Sequence, residues 1–348
     1  MTGVLAPAGL LLLAGLVEIS SISTTLFAYQ LVWAVIGILL IVLFSVFDWR
    51  SVFNYRWFTL GLYGVSIILL AVAYFAAPVI RSTRSWLVLG PFNFQPAELV
   101  KISLILLYAE YFSRRHISIA RWTNILGSFA YFLVPAAFIM LQPDLGSALV
   151  IFGVWFGFLV VAGLPRRRFL AAVLGFAIAG VFLWNYGLAT YQRERIIGVF
   201  FPEHDVLGVN YSVAQSKIAI GSAGLWGKGY GQGSQTQLGF LPEPANDFIF
   251  SAFVEEWGWV FGIALIAAFF ALIASILKVG YRAERNVEKL ICLGAAILFA
   301  WQFFLNIGSA TGMFPVVGVT FPFVSYGGSS LLTSLFLLAI IHAIEVRS

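Results

Sequence analysis

Charged residues are scarce in this chain. Only 10% of its 348 residues are Asp, Glu, Lys or Arg, whereas 61% are hydrophobic. A soluble domain typically carries about 25% charged residues, so the composition argues against a soluble protein. With a mean hydropathy of +0.96, the chain is predicted to be an all-α polytopic membrane protein.

Side chains that serve metal or redox chemistry are also few. Cys292 is the single cysteine and lies in an apolar run, which excludes a disulfide framework and a cysteine metal site. The three histidines are scattered, which argues against a histidine metal cluster. Lys228 is followed by Gly229 rather than Ser or Thr, so the Gly-rich tract is not a Walker loop. We therefore expect no nucleotide, no redox cofactor and no nucleic-acid partner.

Long apolar runs dominate the rest of the sequence and predict about ten transmembrane helices. The runs cover residues 4–21, 29–47, 57–77, 98–113, 123–141, 147–164, 169–188, 247–277, 290–309 and 327–346. The first run lacks the basic segment and the Ala-x-Ala site of a cleaved signal peptide, so it is expected to remain as a span. The fourth is the least apolar, because Glu98, Lys101 and Glu110 interrupt it. No linker or repeat is visible, which predicts a single membrane domain over residues 1–348.

Cationic residues indicate how these spans are oriented. Thirteen of the 20 Lys and Arg residues follow even-numbered spans, and therefore lie on one side of the membrane. They are Arg50, Arg56, Arg114, Arg115, Arg121, Arg166, Arg167, Arg168, Lys278, Arg282, Arg285, Lys289 and Arg347. Because cytoplasmic loops carry an excess of Lys and Arg, this side and both termini are predicted to be cytoplasmic. The connection 78–97 and the much longer connection 189–246 then lie outside the cytoplasm.

Three acids stand at the start of the eighth span, in the sequence ANDFIFSAFVEEWG. Asp247 suits either a helix N-cap or a functional base that faces a cavity. Glu255 and Glu256 lie within the span, where an acid is either functional or paired with Lys or Arg. The local sequence leaves these alternatives open.

Two further motifs carry charged residues at the outer ends of spans. In QPAELVKIS, Glu98 and Lys101 are adjacent on one helical face, where they form either a mutual ion pair or a phosphate site. In LQPDLGS, Asp144 either caps the sixth span or faces a ligand. Both motifs place charge where a water-filled cavity could open to the outside.

Two glycine-rich motifs lie on the same side. The tract 221–244, which has seven glycines between 221 and 239, is either a flexible loop or a backbone that approaches an anion closely. In residues 313–332, Pro and Gly predict non-helical backbone, which at membrane depth must be buried in protein or line a wet cavity. Together these motifs predict an outward-facing polar cavity for an anionic, partly lipidic ligand.

The order and spacing of these motifs resemble those of the SEDS family over nearly the whole chain. The resemblance rests on QPAELVKIS, QPDLGS, GLWGKGYGQGSQTQLGFLPE, DFIF, EEWG and FPFVSYGGSSLL. The Gly-rich stretch through LPE is more similar to the elongation-specific branch than to the division branch. One departure is Ala245–Asn246, which stand where the family usually has His-Thr before the Asp, so any role of those two side chains is not carried over.

The resemblance implies a peptidoglycan glycosyltransferase that polymerises lipid II in the bacterial cytoplasmic membrane during cell elongation and shape maintenance. It also implies a class B penicillin-binding protein as a partner through transmembrane contacts, and contacts with other cell-elongation proteins. Asp247 matches the family's essential acid. Glu98 and Lys101 match functionally sensitive positions in the fourth helix.

The chemistry that this resemblance implies is a single inverting displacement. Asp247 would accept the proton of the attacking sugar hydroxyl. The leaving pyrophosphate needs cations, amide donors or a divalent ion such as Mg or Mn, for which Asp247 is the candidate ligand. Expected substrate-binding residues are Glu98, Lys101, Asp144, Lys217, Lys228, Gln232, Ser325 and Ser329, with Glu255 and Glu256 as supporting acids. A lipid II flippase and a non-enzymatic scaffold of the wall-synthesis complex remain alternatives.

Overall fold

The computed structural model describes residues 3–47, 49, 52, 55–80, 83–90, 92–114, 121–161, 165–203, 208 and 210–347. Arg50, Arg115 and residues 162–164, which entered the predicted topology, lie outside this described part.

Thirteen helices and one hairpin build the described part of the chain. The helices are α1 (Leu5–Ile22), α2 (Thr24–Val46), α3 (Arg56–Ala76), α4 (Pro96–Ser113), α5 (Trp122–Leu141), α6 (Leu145–Val161), α7 (Arg166–Phe182), α8 (Thr190–Phe200), α9 (Tyr211–Ser222), α10 (Ser234–Gln237), α11 (Ile249–Arg282), α12 (Asn286–Thr311) and α13 (Gly328–Arg347). A π-helical turn, Leu183–Gly187, continues α7. The hairpin pairs β1 (Leu87–Leu89) with β2 (Phe92–Phe94) in antiparallel register.

Helices occupy all ten predicted spans: α1 to α7 and α11 to α13. Within the described residues, eight of these are long and apolar enough to cross a membrane on their own. The other two are α6, which has 17 residues, and α4, which carries three charged residues. The all-α polytopic prediction is therefore confirmed. We name the end of the bundle at which α4, α6, α11 and α13 begin the upper end, and the opposite end the lower end.

The central position of α4 explains its charges. All of its 18 residues except Leu99 and Ser113 are buried, and it contacts α3, α5, α6, α12 and α13. Its charged side chains therefore face other helices rather than lipid, where each would cost several kcal/mol. By contrast, none of the described side chains of α7 is buried. By length, apolarity and charge, α7 with its π-helical turn qualifies as a membrane span and α4 does not, although α4 forms the centre of the bundle.

The long helix α11 breaks at Gly258, whose φ of 83° and ψ of 176° are not helical. A Cβ there would lie 2.3 Å from the amide nitrogen of Gly227, so only glycine fits. Residues 224–229 enter this break and form backbone hydrogen bonds of 2.9–3.2 Å with residues 255–260. The Gly-rich tract thus satisfies the backbone groups that the broken helix leaves unpaired.

Two long connections complete the upper end. The connection 189–246 holds α8, α9 and α10. Between α12 and α13, the backbone of residues 313–327 is non-helical, with Phe323 at a φ of 67°. Residues 321–325 of this segment are buried in protein, and residues 315–320 line a cavity. Both environments agree with the requirement that irregular backbone at membrane depth be shielded from lipid.

Candidate active site

A cavity of about 430 Å³ lies at the upper end of the bundle. Its walls come from α2, the hairpin connection, the first turns of α4 and α6, α8, the segment before α11, and residues 315–330. Four predicted site residues from three separate sequence motifs line it together: Glu98, Lys101, Asp144 and Asp247.

The backbone around Asp247 is held by the neighbouring elements. The carbonyl oxygens of residues 245–247 accept hydrogen bonds, in order, from the Tyr326 amide at 2.8 Å, the Ser325 hydroxyl at 2.7 Å and Asn306 Nδ2 at 3.0 Å. α11 begins two residues later with Phe248 as its N-cap, so Asp247 does not occupy the cap position. Three anchored carbonyls in a row fix the position from which the Asp247 side chain reaches the cavity.

Ser325 therefore positions the Asp247 segment instead of lining the cavity. Its hydroxyl also accepts the Phe321 amide at 2.9 Å and is buried. Nearby, burial raises the pKa of the Tyr326 phenol, to which Tyr29 adds a smaller effect. Both tyrosines line the cavity, and the raised pKa keeps the Tyr326 hydroxyl neutral, so that it can donate or accept a hydrogen bond.

Glu98 and Lys101 form an ion pair, which is one of the two alternatives that their spacing left open. Lys101 Nζ lies 2.6 Å from Glu98 Oε1, and both side chains are buried. The second carboxylate oxygen, Glu98 Oε2, has no hydrogen-bond partner among the described residues. The pair thus also faces the cavity, which leaves Glu98 Oε2 and Lys101 available to a ligand.

Asp144 caps α6 and fastens two walls of the cavity. Its Oδ1 accepts the Ser147 amide at 3.0 Å, and its Oδ2 accepts the Ser147 hydroxyl at 2.7 Å and Gln95 Nε2 at 2.9 Å. The backbone amide of Gln95 donates to Ser329 Oγ at 3.2 Å, and Ser329 donates to the Asn93 carbonyl at 3.0 Å. Ser329 is buried and does not line the cavity, so its contacts join α13 to the hairpin connection.

Glu255 binds the Gly-rich tract rather than the cavity. Its carboxylate accepts Lys228 Nζ at 2.7 Å, the Gln235 amide at 2.9 Å, and the Thr236 hydroxyl and amide at 2.9 and 3.1 Å. The Ser234 hydroxyl adds a longer contact at 3.3 Å. Lys228 thus pairs with Glu255 within the tract. Neither residue is among those that line the cavity.

Glu256 has a similar structural role. It accepts the Ser21 hydroxyl at 2.7 Å, the Gly231 amide at 3.0 Å and Gln237 Nε2 at 2.9 Å. These bonds tie α11 to α1 and to the tract. Gln232 is exposed on the tract and does not line the cavity.

Arg195 is a cavity residue that sequence reasoning missed. It lies on α8, donates from Nη1 to the Val316 carbonyl at 2.9 Å, and stacks on the Tyr191 ring at 5.6 Å. A smaller adjoining cavity of about 100 Å³ shares Arg195 and also holds Lys217. One feature of the sequence could have identified Arg195 as a candidate. It is an arginine in a connection predicted to lie outside the cytoplasm, where the positive-inside rule disfavours cationic residues.

The carboxylates of the cavity suit a metal site that is completed by oxygens of the substrate better than one made of protein ligands alone. The described residues include no group of three His, Cys, Asp or Glu placed to hold a metal ion. Magnesium, however, is often held by one or two carboxylates together with phosphate oxygens of a substrate. Asp247 and the unpartnered Glu98 Oε2 are the cavity groups that fit such a role.

Comparison with known proteins agrees with these features. The FTSW_RODA_SPOVE family model, described as cell cycle protein, matches residues 3–348. The chain is 36% identical over 271 residues to the peptidoglycan glycosyltransferase MrdB of Escherichia coli strain K12, covering 78% of this chain and 73% of MrdB. It is 34% identical over 299 residues to the probable peptidoglycan glycosyltransferase FtsW of Thiomicrospira cyclica, covering 84% and 74%.

Solved structures show the same fold. A chain of a peptidoglycan synthase complex, described for its coordination of polymerization and crosslinking, superposes with a TM-score of 0.85 at 30% identity, covering 100% of this chain and 97% of that one. The rod shape determining protein RodA of Thermus thermophilus superposes with a TM-score of 0.74 at 28% identity, covering 99% and 96%. The match over residues 3–348 confirms the resemblance: the chain belongs to the FtsW/RodA/SpoVE family, the SEDS family of cell cycle proteins.

Proposed function

We propose that this chain is a peptidoglycan glycosyltransferase that polymerises lipid II during cell elongation. The observation that carries the proposal is the convergence in one cavity at the upper end of Asp247, from the segment before α11, with Glu98 and Lys101 of α4. The names of its relatives MrdB and FtsW support the reaction class. The similarity to RodA and the LPE-containing Gly-rich stretch support elongation rather than division.

In the proposed reaction Asp247 is the general base. An acceptor sugar hydroxyl attacks the anomeric carbon of the donor, its proton passes to the Asp247 carboxylate, and the bond to the pyrophosphate oxygen breaks. The attack comes from the face opposite the leaving group, so an α-linked donor gives a β-linked product. Only one base is needed, which agrees with a site built around one anchored Asp.

The proposed leaving-group site uses the cations of the cavity. Lys101, held by Glu98, and Arg195, held by the Val316 carbonyl, present positive charge from α4 and α8. Charge placed where the pyrophosphate leaves stabilises the transition state more than the ground state. Asp247 and Glu98 are the residues that would hold a divalent cation, which would supply further charge neutralisation for the leaving group.

The activity itself is tested with purified protein and purified lipid II, without a second polymerase. We expect glycan strands that a muramidase degrades. A flippase would instead move lipid II across a vesicle membrane without forming polymer. A scaffold would do neither, so the two assays together distinguish the three readings.

We further propose that the upper end lies outside the cytoplasm, in the bacterial cytoplasmic membrane. The support is the clustering of cationic residues at the lower end, among them Arg166–Arg168, Lys278 and Arg282. Lipid II would then enter the cavity from the outer leaflet, and both termini would be cytoplasmic.

This orientation predicts which introduced cysteines a membrane-impermeant maleimide labels in intact spheroplasts. We expect Gln232→Cys, on the exposed part of the tract, to react from outside. The matched variant Tyr281→Cys, at a lower-end position that is 88% exposed, should react only after permeabilisation. The native Cys292 is buried, so background labelling should be low. The reverse pattern would show that the orientation is inverted.

For the partner, we propose a class B penicillin-binding protein that docks through transmembrane contacts, within a complex that includes other elongation proteins. The similar peptidoglycan synthase complex, which joins polymerization to crosslinking, supports this. So does the small-residue run GIALIAAFFALIAS of α11, part of which is exposed, because small residues let helices approach closely.

We predict that Glu98 and Lys101 act as a unit. Each single change to Ala should lower polymerisation, because it leaves the other buried charge unpaired. The double variant should lose less activity than the product of the two losses, with a coupling of about 1–3 kcal/mol. Glu98→Ala combined with Lys278→Ala, at the opposite end, is the control that should be additive. Strict additivity of Glu98 and Lys101 would show that they act separately.

A further inference from the structure

A second cavity, of about 270 Å³, lies at the lower end of the bundle, which the proposed reaction does not use. It is lined by Arg56, Leu60, Leu107, Glu110, Tyr111, Arg114 and Tyr131, from the start of α3, the end of α4 and the middle of α5. Lys101 and Glu110 are nine residues apart on α4, a rise of about 13 Å. The lower cavity is therefore separate from the candidate active site.

The mouth of this cavity carries an excess of positive charge. Arg114 Nε pairs with Glu110 Oε1, whose side chain is only 5% exposed, while the Arg114 side chain remains 55% exposed. Within the described residues, the Arg56 guanidinium has no hydrogen bond or ion pair with any side chain or carbonyl. Among the described residues, two arginines thus face one carboxylate, and the uncompensated charge lies at the lower end of the bundle.

The inner part of the cavity is apolar and aromatic. Leu60 and Leu107 form aliphatic walls. The Tyr131 ring packs edge-on against the Tyr111 ring at 5.8 Å, and the Tyr111 hydroxyl is already used, because it donates to the Asn124 carbonyl at 3.2 Å. The cavity therefore passes from a cationic mouth to an apolar interior, which fits a ligand with an anionic head and an apolar body.

We propose that the lower cavity binds the phosphate group of an anionic phospholipid from the adjacent leaflet. Arg56 and Arg114 would contact the phosphate oxygens, with Glu110 holding Arg114 in position, and the lipid's glycerol and acyl region would contact Leu60 and Leu107. Basic pockets between transmembrane helices are known to bind such head groups. A bound lipid would join α3 to α4, the helix whose upper end carries Glu98 and Lys101.

The test is native mass spectrometry of the purified full-length protein titrated with phosphatidylglycerol, with phosphatidylcholine as the neutral lipid. We expect one phosphatidylglycerol to bind at least about tenfold more tightly than phosphatidylcholine. The double variant R56Q/R114Q should lose about tenfold or more of that preference. The matched double variant K278Q/R282Q removes two exposed lower-end cations outside the cavity and should retain it.

Three results would overturn the proposal. They are no change in R56Q/R114Q, an equal loss in K278Q/R282Q, and displacement of the lipid by soluble glycerol phosphate at equal concentration. The last would indicate a soluble phosphate compound instead of a lipid. If R56Q/R114Q fails to fold, the single R56Q change at an exposed position still tests the site, and it should weaken binding about fivefold. The readout does not require polymerase activity, so it stands apart from the proposed function.

Discussion

Replacement of Asp247 by Asn is expected to lower lipid II polymerisation by at least about a hundredfold, because general-base catalysis typically contributes 10²–10⁴-fold. The unfolding temperature of the purified protein should shift by no more than about 2 °C. The anchoring bonds at residues 245–247 come from the backbone carbonyls, which the substitution leaves in place. Activity and stability should therefore separate in this variant.

The matched control for this experiment is Glu284→Gln, which also removes one carboxylate charge, at an exposed lower-end position. It should retain both activity and stability. If Asp247→Ala retains more than about a tenth of the wild-type polymerisation rate, Asp247 is not the general base. A large fall in the unfolding temperature of Asp247→Asn would instead assign the residue a structural role.

The fold was predictable because the bilayer imposes a simple rule on helix length and apolarity. α4 shows where that rule weakens. Its Glu98, Lys101 and Glu110 lower its hydropathy because the helix is surrounded by other helices and need not face lipid. The cationic connections nevertheless indicated that α4 is a span. Without it, the later Lys and Arg clusters would have fallen on the opposite side of the membrane from the earlier ones.

The candidate site was predictable in part. Glu98, Lys101, Asp144 and Asp247 all come from motifs at the predicted outer ends of spans, and one cavity contains them all. Arg195 was missed because its role depends on how α8 folds back over residues 315–320. Nothing local in the sequence indicates that contact.

The three acids at the start of the eighth span show a second limit of prediction from the sequence. ANDFIFSAFVEEWG reads as one acidic motif, yet Asp247 lines the cavity whereas Glu255 and Glu256 bind the Gly-rich tract. An ideal helix through this segment would not predict that Asp247 lines the cavity whereas Glu255 and Glu256 bind the Gly-rich tract. This arrangement follows from the break at Gly258, which admits residues 224–229 beside the two glutamates.

Glu255→Ala is expected to destabilise the protein by about 3–5 kcal/mol, the effect of breaking a buried ion pair by removing one partner. The change would leave the donors of Lys228, Gln235 and Thr236 without their acceptor, and would detach the tract from the break in α11. Thermal unfolding in detergent, together with proteolysis of the tract, measures the effect. We expect polymerisation to fall only as far as folded protein is lost.

Glu194→Ala is the control for this prediction, because it removes an exposed acid from the same long connection. It should change the unfolding free energy by no more than about 0.5 kcal/mol. A Glu255→Ala protein that is as stable as wild type but inactive would contradict the structural role. Glu255 and its partner Lys228 would then have to act on the substrate, and the Gly-rich tract would become part of the donor site. The opposite outcomes expected for Asp247→Asn and Glu255→Ala thus separate the acid that acts on the substrate from the acid that holds the fold.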